Sequence, residues 1–184
     1  MLSKNYKIKV PLFREAYKAY QKKFVYPKNY IFTAIFIALA ANFFYGAFYA
    51  PDNYLAYILA VICLALAFRE LFIPGKTRNS TVEAFAQLDD PVYHIEITEN
   101  SVSFSSVYQI EAENDVTAEN DIENDVDEAA EPTVLPLDDK LSILEYEAFF
   151  LVVYGKTIFF IVPKEEFSDD ELQVVRNLNH REVK

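Results

Sequence analysis

The sequence predicts an α+β membrane protein, a two-helix transmembrane hairpin followed by an antiparallel β domain closed by a C-terminal helix. Three observations carry that expectation. Two uncharged runs, 30–50 and 54–68, stand almost back to back; a Lys/Arg-rich segment precedes them; and the rest of the chain reads as short β-rich runs ending in one amphipathic helix. A chain of 184 residues has room for one hairpin and one modest domain. That excludes a large multidomain enzyme or a many-helix transporter acting as a single chain.

The formal charge of −11 is an average over unlike segments. Residues 1–29 hold eight Lys/Arg against Glu15 alone and are +7, residues 30–75 are −1, and residues 76–184 are −17. Within the last of these, 111–131 contributes ten acids and no base, so the remainder of the chain is only −1. The acidity is a local insert and gives no reason to expect a nucleic-acid partner.

The basic leader, 1–29, begins with an alternating segment, 5–12, read as a short strand. Phe13, Ala16, Tyr17, Tyr20 and Phe24 then recur at helical spacing on one apolar face, while Arg14, Lys18 and Lys22 fall on another. This helix either lies on an anionic lipid leaflet or packs its apolar face on the protein's own soluble domain.

The run 30–50 has 21 uncharged residues, which at 1.5 Å per residue matches a hydrocarbon core of about 30 Å. The second span, 54–72, includes Arg69 and Glu70, whose stems can snorkel to the interface. Only Ala50-Pro51-Asp52-Asn53 separates the runs, so the helices are antiparallel neighbours within a hairpin, 30–73. Lys22, Lys23 and Lys28 precede the hairpin, Arg69, Lys76 and Arg78 follow it, and the turn has no base. The positive-inside rule therefore puts both termini in the cytoplasm. The 29 polar-rich residues ahead of a long apolar run argue against a cleaved signal peptide.

Small residues recur at helical spacing in both spans: Ala34, Ala38, Asn42 and Gly46 in the first, Ala56, Ala60, Cys63 and Ala67 in the second. Such stripes let helices approach closely, within the hairpin or in a homo-oligomer. Asn42 is expected to make an interhelical hydrogen bond rather than to conduct, because conduction needs more than one polar residue. Cys63 is the sole cysteine and is expected to pack as a small hydrophobe.

Beyond the hairpin, Pro74-Gly75 is read as a break, and 80–88 as a short amphipathic helix opening the cytoplasmic domain, 76–184. Residues 92–98 and 102–107 alternate as a β-hairpin about Glu99-Asn100. His94 falls on the polar side of its strand, and with His180 as the only other histidine no metal-ligand spacing exists. The insert 111–131 repeats Glu-Asn-Asp with an aliphatic residue; its composition marks it as disordered, and it lacks the Gly of a calcium-binding EF-hand loop. Then 133–138, 141–147, 149–153 and 157–162 read as strands, with a turn at Tyr154-Gly155-Lys156. Ser168 followed by Asp169, Asp170 and Glu171 signs the start of a last helix through 179, with Leu172, Val175 and Leu178 inward.

Leu144-Glu145, Phe149-Phe150-Leu151 and above all Ile161-Val162-Pro163-Lys164-Glu165-Glu166-Phe167-Ser168, in this order of elements, resemble the YcxB-like family of small bacterial membrane proteins. The likeness spans most of the chain outside 111–131. It implies a cytoplasmic domain similar to a pleckstrin-homology barrel in the bacterial inner membrane, and no established activity. The family commonly has a Trp ahead of an acid; this chain has Leu137-Asp138-Asp139 and no Trp.

No catalytic, cofactor-binding or metal residues stand out, since no nucleophile elbow, zinc motif, redox dithiol or phosphate loop occurs. The expected function is therefore a non-enzymatic, membrane-anchored cytoplasmic binding or adaptor module whose sheet offers edges to a protein partner. The alternatives are a membrane enzyme acting on lipid or peptide, and an accessory subunit of a channel or transporter. Lys164 and Arg176, the basic residues of the strand-plus-helix end, are too few for a phosphate pocket by themselves.

Overall fold

The computed structural model describes residues 2–88, 91–107 and 132–178. The chain divides into two compact units, Arg14–Gln87 on the one hand and Met1–Phe13 with Leu88–Lys184 on the other.

The helical unit is built from an uninterrupted rod and a second long helix. Helix α1 (Val10–Tyr20) passes through a π-helical turn, Gln21–Val25, into α2 (Tyr26–Tyr49), and Pro27 follows that turn. Helix α3 (Tyr54–Ala86) returns after a tight turn in which the Asn53 side chain accepts a hydrogen bond from the Ala56 N–H at 3.3 Å. Both rods are long and apolar enough to cross a membrane.

What the pair buries is small. Ala56, Ala60, Cys63 and Ala67 of α3 are buried as expected, and the buried residues of α2 are Thr33, Ala40 and Ala47. The expected stripe of α2 is corrected here: Ala34, Ala38, Asn42 and Gly46 are all exposed. The inward residues of α2 recur every seven positions, and Asn42, two residues past Ala40, is turned by about 200° from them. Asn42 accordingly makes no hydrogen bond to α3, contrary to expectation. The large apolar side chains face outward instead, among them Ile31, Phe32, Ile35, Phe48, Leu55, Ile58, Val61, Phe68 and Phe72.

The expected break at Pro74-Gly75 is also corrected, since α3 runs straight through it and the segment 80–86 forms its last turns. A proline inside a helix normally leaves the carbonyl four residues earlier without a donor. Here that carbonyl, Glu70 O, accepts from Asn29 Nδ2 at 3.0 Å, and Pro74 O accepts from Gln21 Nε2 at 2.7 Å. The Asn29 side-chain amide of the neighbouring rod thus satisfies the defect, Gln21 adds a second bond between the rods one turn further on, and the helix need not end. Only the NH₂ of each amide can point at a carbonyl, which fixes both orientations.

In the other unit, strand β1 (Leu2–Lys7) pairs antiparallel with β2 (Val92–Ile97), from Leu2 opposite Ile97 to Lys7 opposite Val92. The strand lies ahead of the 5–12 segment expected, because Val10-Pro11 already opens α1. The helical unit is therefore an insertion between two neighbouring strands of one sheet. Strands β3 (Ser101–Val107) and β4 (Thr133–Pro136) complete the order β1-β2-β3-β4; β5 (Leu141–Glu145), β6 (Phe149–Tyr154) and β7 (Ile158–Pro163) form a second sheet, β5-β6-β7. The insert 111–131 and His180 lie outside the described residues.

The two sheets share a core. Phe104 of β3 stacks on Phe160 of β7 with centroids 4.0 Å apart and planes 5° from parallel, a pair worth about 0.5–1.5 kcal/mol beyond the area it buries. Strand β6 is buried along Phe149–Val153, as its unbroken apolar run requires. The β6–β7 turn places Gly155 and Lys156 at φ of 59° and 64°, the left-handed pair of a type I′ hairpin that matches strand twist. Helix α4 (Asp169–Leu178) buries Leu172, Val175 and Leu178, the three residues its periodicity selects.

Candidate functional site

Two surfaces of the β unit combine exposure with chemistry: its charged end, and its strand edges. The charged end grows out of the Ile-Val-Pro-Lys-Glu-Glu-Phe-Ser stretch. Pro163 closes β7, a 3₁₀ turn over Lys164–Glu166 follows, and Phe167 turns inward against Tyr6 of β1 at 5.6 Å between ring centroids. Tyr6 also stacks on Tyr93 at 6.0 Å, and its burial pushes the phenol well above its ordinary value, so it is neutral throughout the accessible pH range. The Ser168 N–H donates to Glu171 Oε2 at 2.7 Å, one half of a capping box at the start of α4. The same oxygen takes Lys4 Nζ at 2.7 Å, which ties β1 to α4 and, with the capping bond, lowers the Glu171 carboxyl.

Beside it, Glu145 at the end of β5 accepts from Arg176 Nη2 at 2.6 Å and from Arg176 Nε at 3.1 Å to each of its oxygens, and Lys164 Nζ approaches Oε1 at 2.7 Å. Both cations also lie over the Phe150 ring, Lys164 at 4.9 Å and Arg176 at 5.7 Å from its centroid. The Arg176 fork, then Lys164, hold the Glu145 carboxyl at about 2. The two basic residues considered for anion recognition are therefore committed to one carboxylate. A phosphate arriving here would have to displace Glu145 from a bidentate guanidinium pair.

His94 lies mid-strand on the outer face of the first sheet, where its Nδ1 meets Asn5 Oδ1 and its Nε2 lies 3.3 Å from Ser3 Oγ. These are cross-strand neighbours, since Asn5 is directly opposite His94 in the β1–β2 register. Among the described residues no group of three or more His, Cys, Asp or Glu is placed to hold a metal ion.

The strand edges are the second surface. In the two sheets β1, β4, β5 and β7 each pair on one side only among the described residues. Val134 on β4 and Ile158 on β7 are exposed apolar side chains on such edges, at 57% and 44%. A row of free backbone donors and acceptors flanked by an apolar side chain is what an added strand requires. Sequence reasoning found the strands but not the edges, because which strands lie outermost depends on pairing between distant segments. Comparison with models of protein families, with curated proteins and with solved structures finds no match for this chain.

Proposed function

We propose that the chain is a membrane-anchored, non-enzymatic binding module, in which the helical unit is a two-span hairpin and the β unit, similar to a pleckstrin-homology barrel, recruits a protein partner through its strand edges on the cytoplasmic side. The observation that carries this reading is the inverted burial of the helical unit. Alanines and one cysteine face inward while Phe48 at 79%, Phe72 at 71% and Leu55 at 64% face out. Each such ring or aliphatic chain would forgo about 1.5–3 kcal/mol if left in water, and none of that is lost in hydrocarbon. The connectivity supports the proposed topology as well. Because β1 and β2 are paired neighbours, both ends of the inserted hairpin start from the same sheet, which fits termini on one side of a bilayer, the side favoured by Lys22, Lys23, Lys28, Lys76 and Arg78. The resemblance to YcxB-like proteins is part of this reading.

The test is site-specific photocrosslinking of the full chain in native membranes, with the crosslinker at Val134 or Ile158 and, in parallel, at Phe48 or Phe72. A discrete protein adduct from the edge positions supports recruitment by the sheet. Adducts from the hairpin positions alone would move the function into the membrane segment and refute the module.

One observation favours a second reading, a homo-oligomer or a subunit of a larger membrane assembly. Ala34, Ala38, Asn42 and Gly46 form an exposed face on α2, and a side chain added at Gly46 would meet nothing within 4 Å. Asn42 in that face has no hydrogen-bond partner among the described residues, a cost that a second helix would remove. Loss of oligomer mass in mild detergent on Asn42→Ala with Gly46→Leu supports it; a monomeric wild type refutes it.

A further inference from the structure

Several cations of the β unit are neutralised where those beside the hairpin are not. In the β unit Lys4, Lys9, Lys164 and Arg176 each pair with a carboxylate. In the helical unit, Lys22, Lys23, Lys28, Arg69, Lys76 and Arg78 pair with none among the described residues, and the first five are exposed. Their heights along the helix pair are fixed by two hydrogen bonds. Asn29 Nδ2 on Glu70 O brings Lys28 level with Arg69, and Gln21 Nε2 on Pro74 O brings Lys22 and Lys23 level with Lys76. At 1.5 Å per residue the first set spans about 9 Å and the second about 14 Å, a band beside the place where the uncharged runs end. Glu70 is the one acid in 21–29 and 69–78. Six like charges held side by side against one acid raise the local positive potential, which attracts an anionic surface.

We propose that this band is a binding surface for anionic phospholipid headgroups, built jointly by the end of the first rod and the part of α3 that continues through Pro74. It deepens the hairpin reading and rests on it. It also goes beyond an amphipathic α1 lying on the leaflet by itself, because half of the cations come from α3. The π-helical turn and the proline are the devices that align the halves: the amides of Gln21 and Asn29 clamp the two basic stretches at one level, and Gln21, 2% exposed, is buried for that purpose. Phosphate recognition of this kind is electrostatic, so selectivity scales with the number of cations and is screened by salt.

The experiment uses the full chain reconstituted in phosphatidylcholine nanodiscs with increasing phosphatidylglycerol, the retained lipid being read by native mass spectrometry at low and high salt. Wild type is expected to enrich phosphatidylglycerol, with the enrichment falling at high salt. At about fivefold per cation, K22Q/K23Q/K28Q and R69Q/K76Q/R78Q should each lower that selectivity by tenfold or more. A loss confined to the first triple variant would overturn the joint surface and leave α1 acting alone. Unchanged selectivity in both variants would overturn the proposal while leaving the hairpin intact. Extraction of the wild-type chain from phosphatidylcholine vesicles by alkaline carbonate would refute the hairpin reading, and this one with it.

Discussion

Replacing Asn29 with Ala should destabilise the helical unit, and replacing Pro74 with Ala should abolish most of that cost. Glu70 O is the carbonyl that Pro74 cannot serve, and Asn29 Nδ2 at 3.0 Å is its donor. Removing the amide from a part-buried carbonyl that has no other N–H costs about 1–3 kcal/mol, against about 0.5–1.5 kcal/mol for an ordinary hydrogen bond whose acceptor finds another donor. In the Pro74→Ala background the backbone N–H regained at that position bonds Glu70 O within the helix, and Asn29→Ala then removes only a redundant donor. The double-mutant cycle should give a coupling energy of about 1 kcal/mol or more between residues that do not bond each other. The assay is reversible SDS unfolding of the full chain from mild detergent, followed by far-ultraviolet circular dichroism, for the wild type, both single variants and the double variant. Equal cost of Asn29→Ala in both backgrounds, within about 0.3 kcal/mol, would refute the argument that this amide repairs the proline defect.

Three further predictions concern the β unit. Phe149→Ala and Phe167→Ala, at 0% and 7% exposure, should each cost about 3–5 kcal/mol in denaturant titrations, and an unaltered midpoint would place that ring outside the core. Glu145, held at about 2 against an ordinary 4.5, contributes stability that is complete above pH 4.5 and is lost as pH falls toward 2. Circular dichroism across that window should show a shallower decline for Glu145→Gln than for the wild type. Gly155→Val, which forces a β-branched residue to φ +59°, should destabilise by about 1 kcal/mol or more in thermal melts, whereas Gly155→Asn should be nearly neutral.

Much of the architecture is legible in the sequence because it follows from local periodicity. Uncharged length marks the two long helices, alternation and turn chemistry mark the strands after the hairpin within a residue or two, while the first strand lies three to five residues ahead of its expected bounds, and Ser168 with Glu171 marks the start of α4. The inward stripe of α3, Ala56 to Ala67, is legible for the same reason. Local rules misjudge Pro74 because they count the N–H that a proline lacks and cannot see Asn29, which is remote in sequence and supplies the donor. They misjudge the α2 interface because more than one stripe of small residues fits a helical period, and only the partner helix selects Thr33, Ala40 and Ala47.

The candidate surfaces divide in the same way. The sequence by itself determined the kinds of residue present: the bases flanking the hairpin, the apolar strands, and the absence of nucleophile or metal motifs. Only the tertiary structure decided which of them are free to act. Pairing of β1 with β2 across the whole helical insertion makes the hairpin an interruption of one sheet, because backbone hydrogen bonds between distant segments outweigh their separation along the chain. Lys164 and Arg176 are withdrawn by Glu145, a residue no spacing rule joins to them, whereas the cations at the end of the hairpin form no such ion pair among the described residues. Charge is written in the sequence, but neutralisation depends on distances of about 3 Å between side chains, and folding alone sets those.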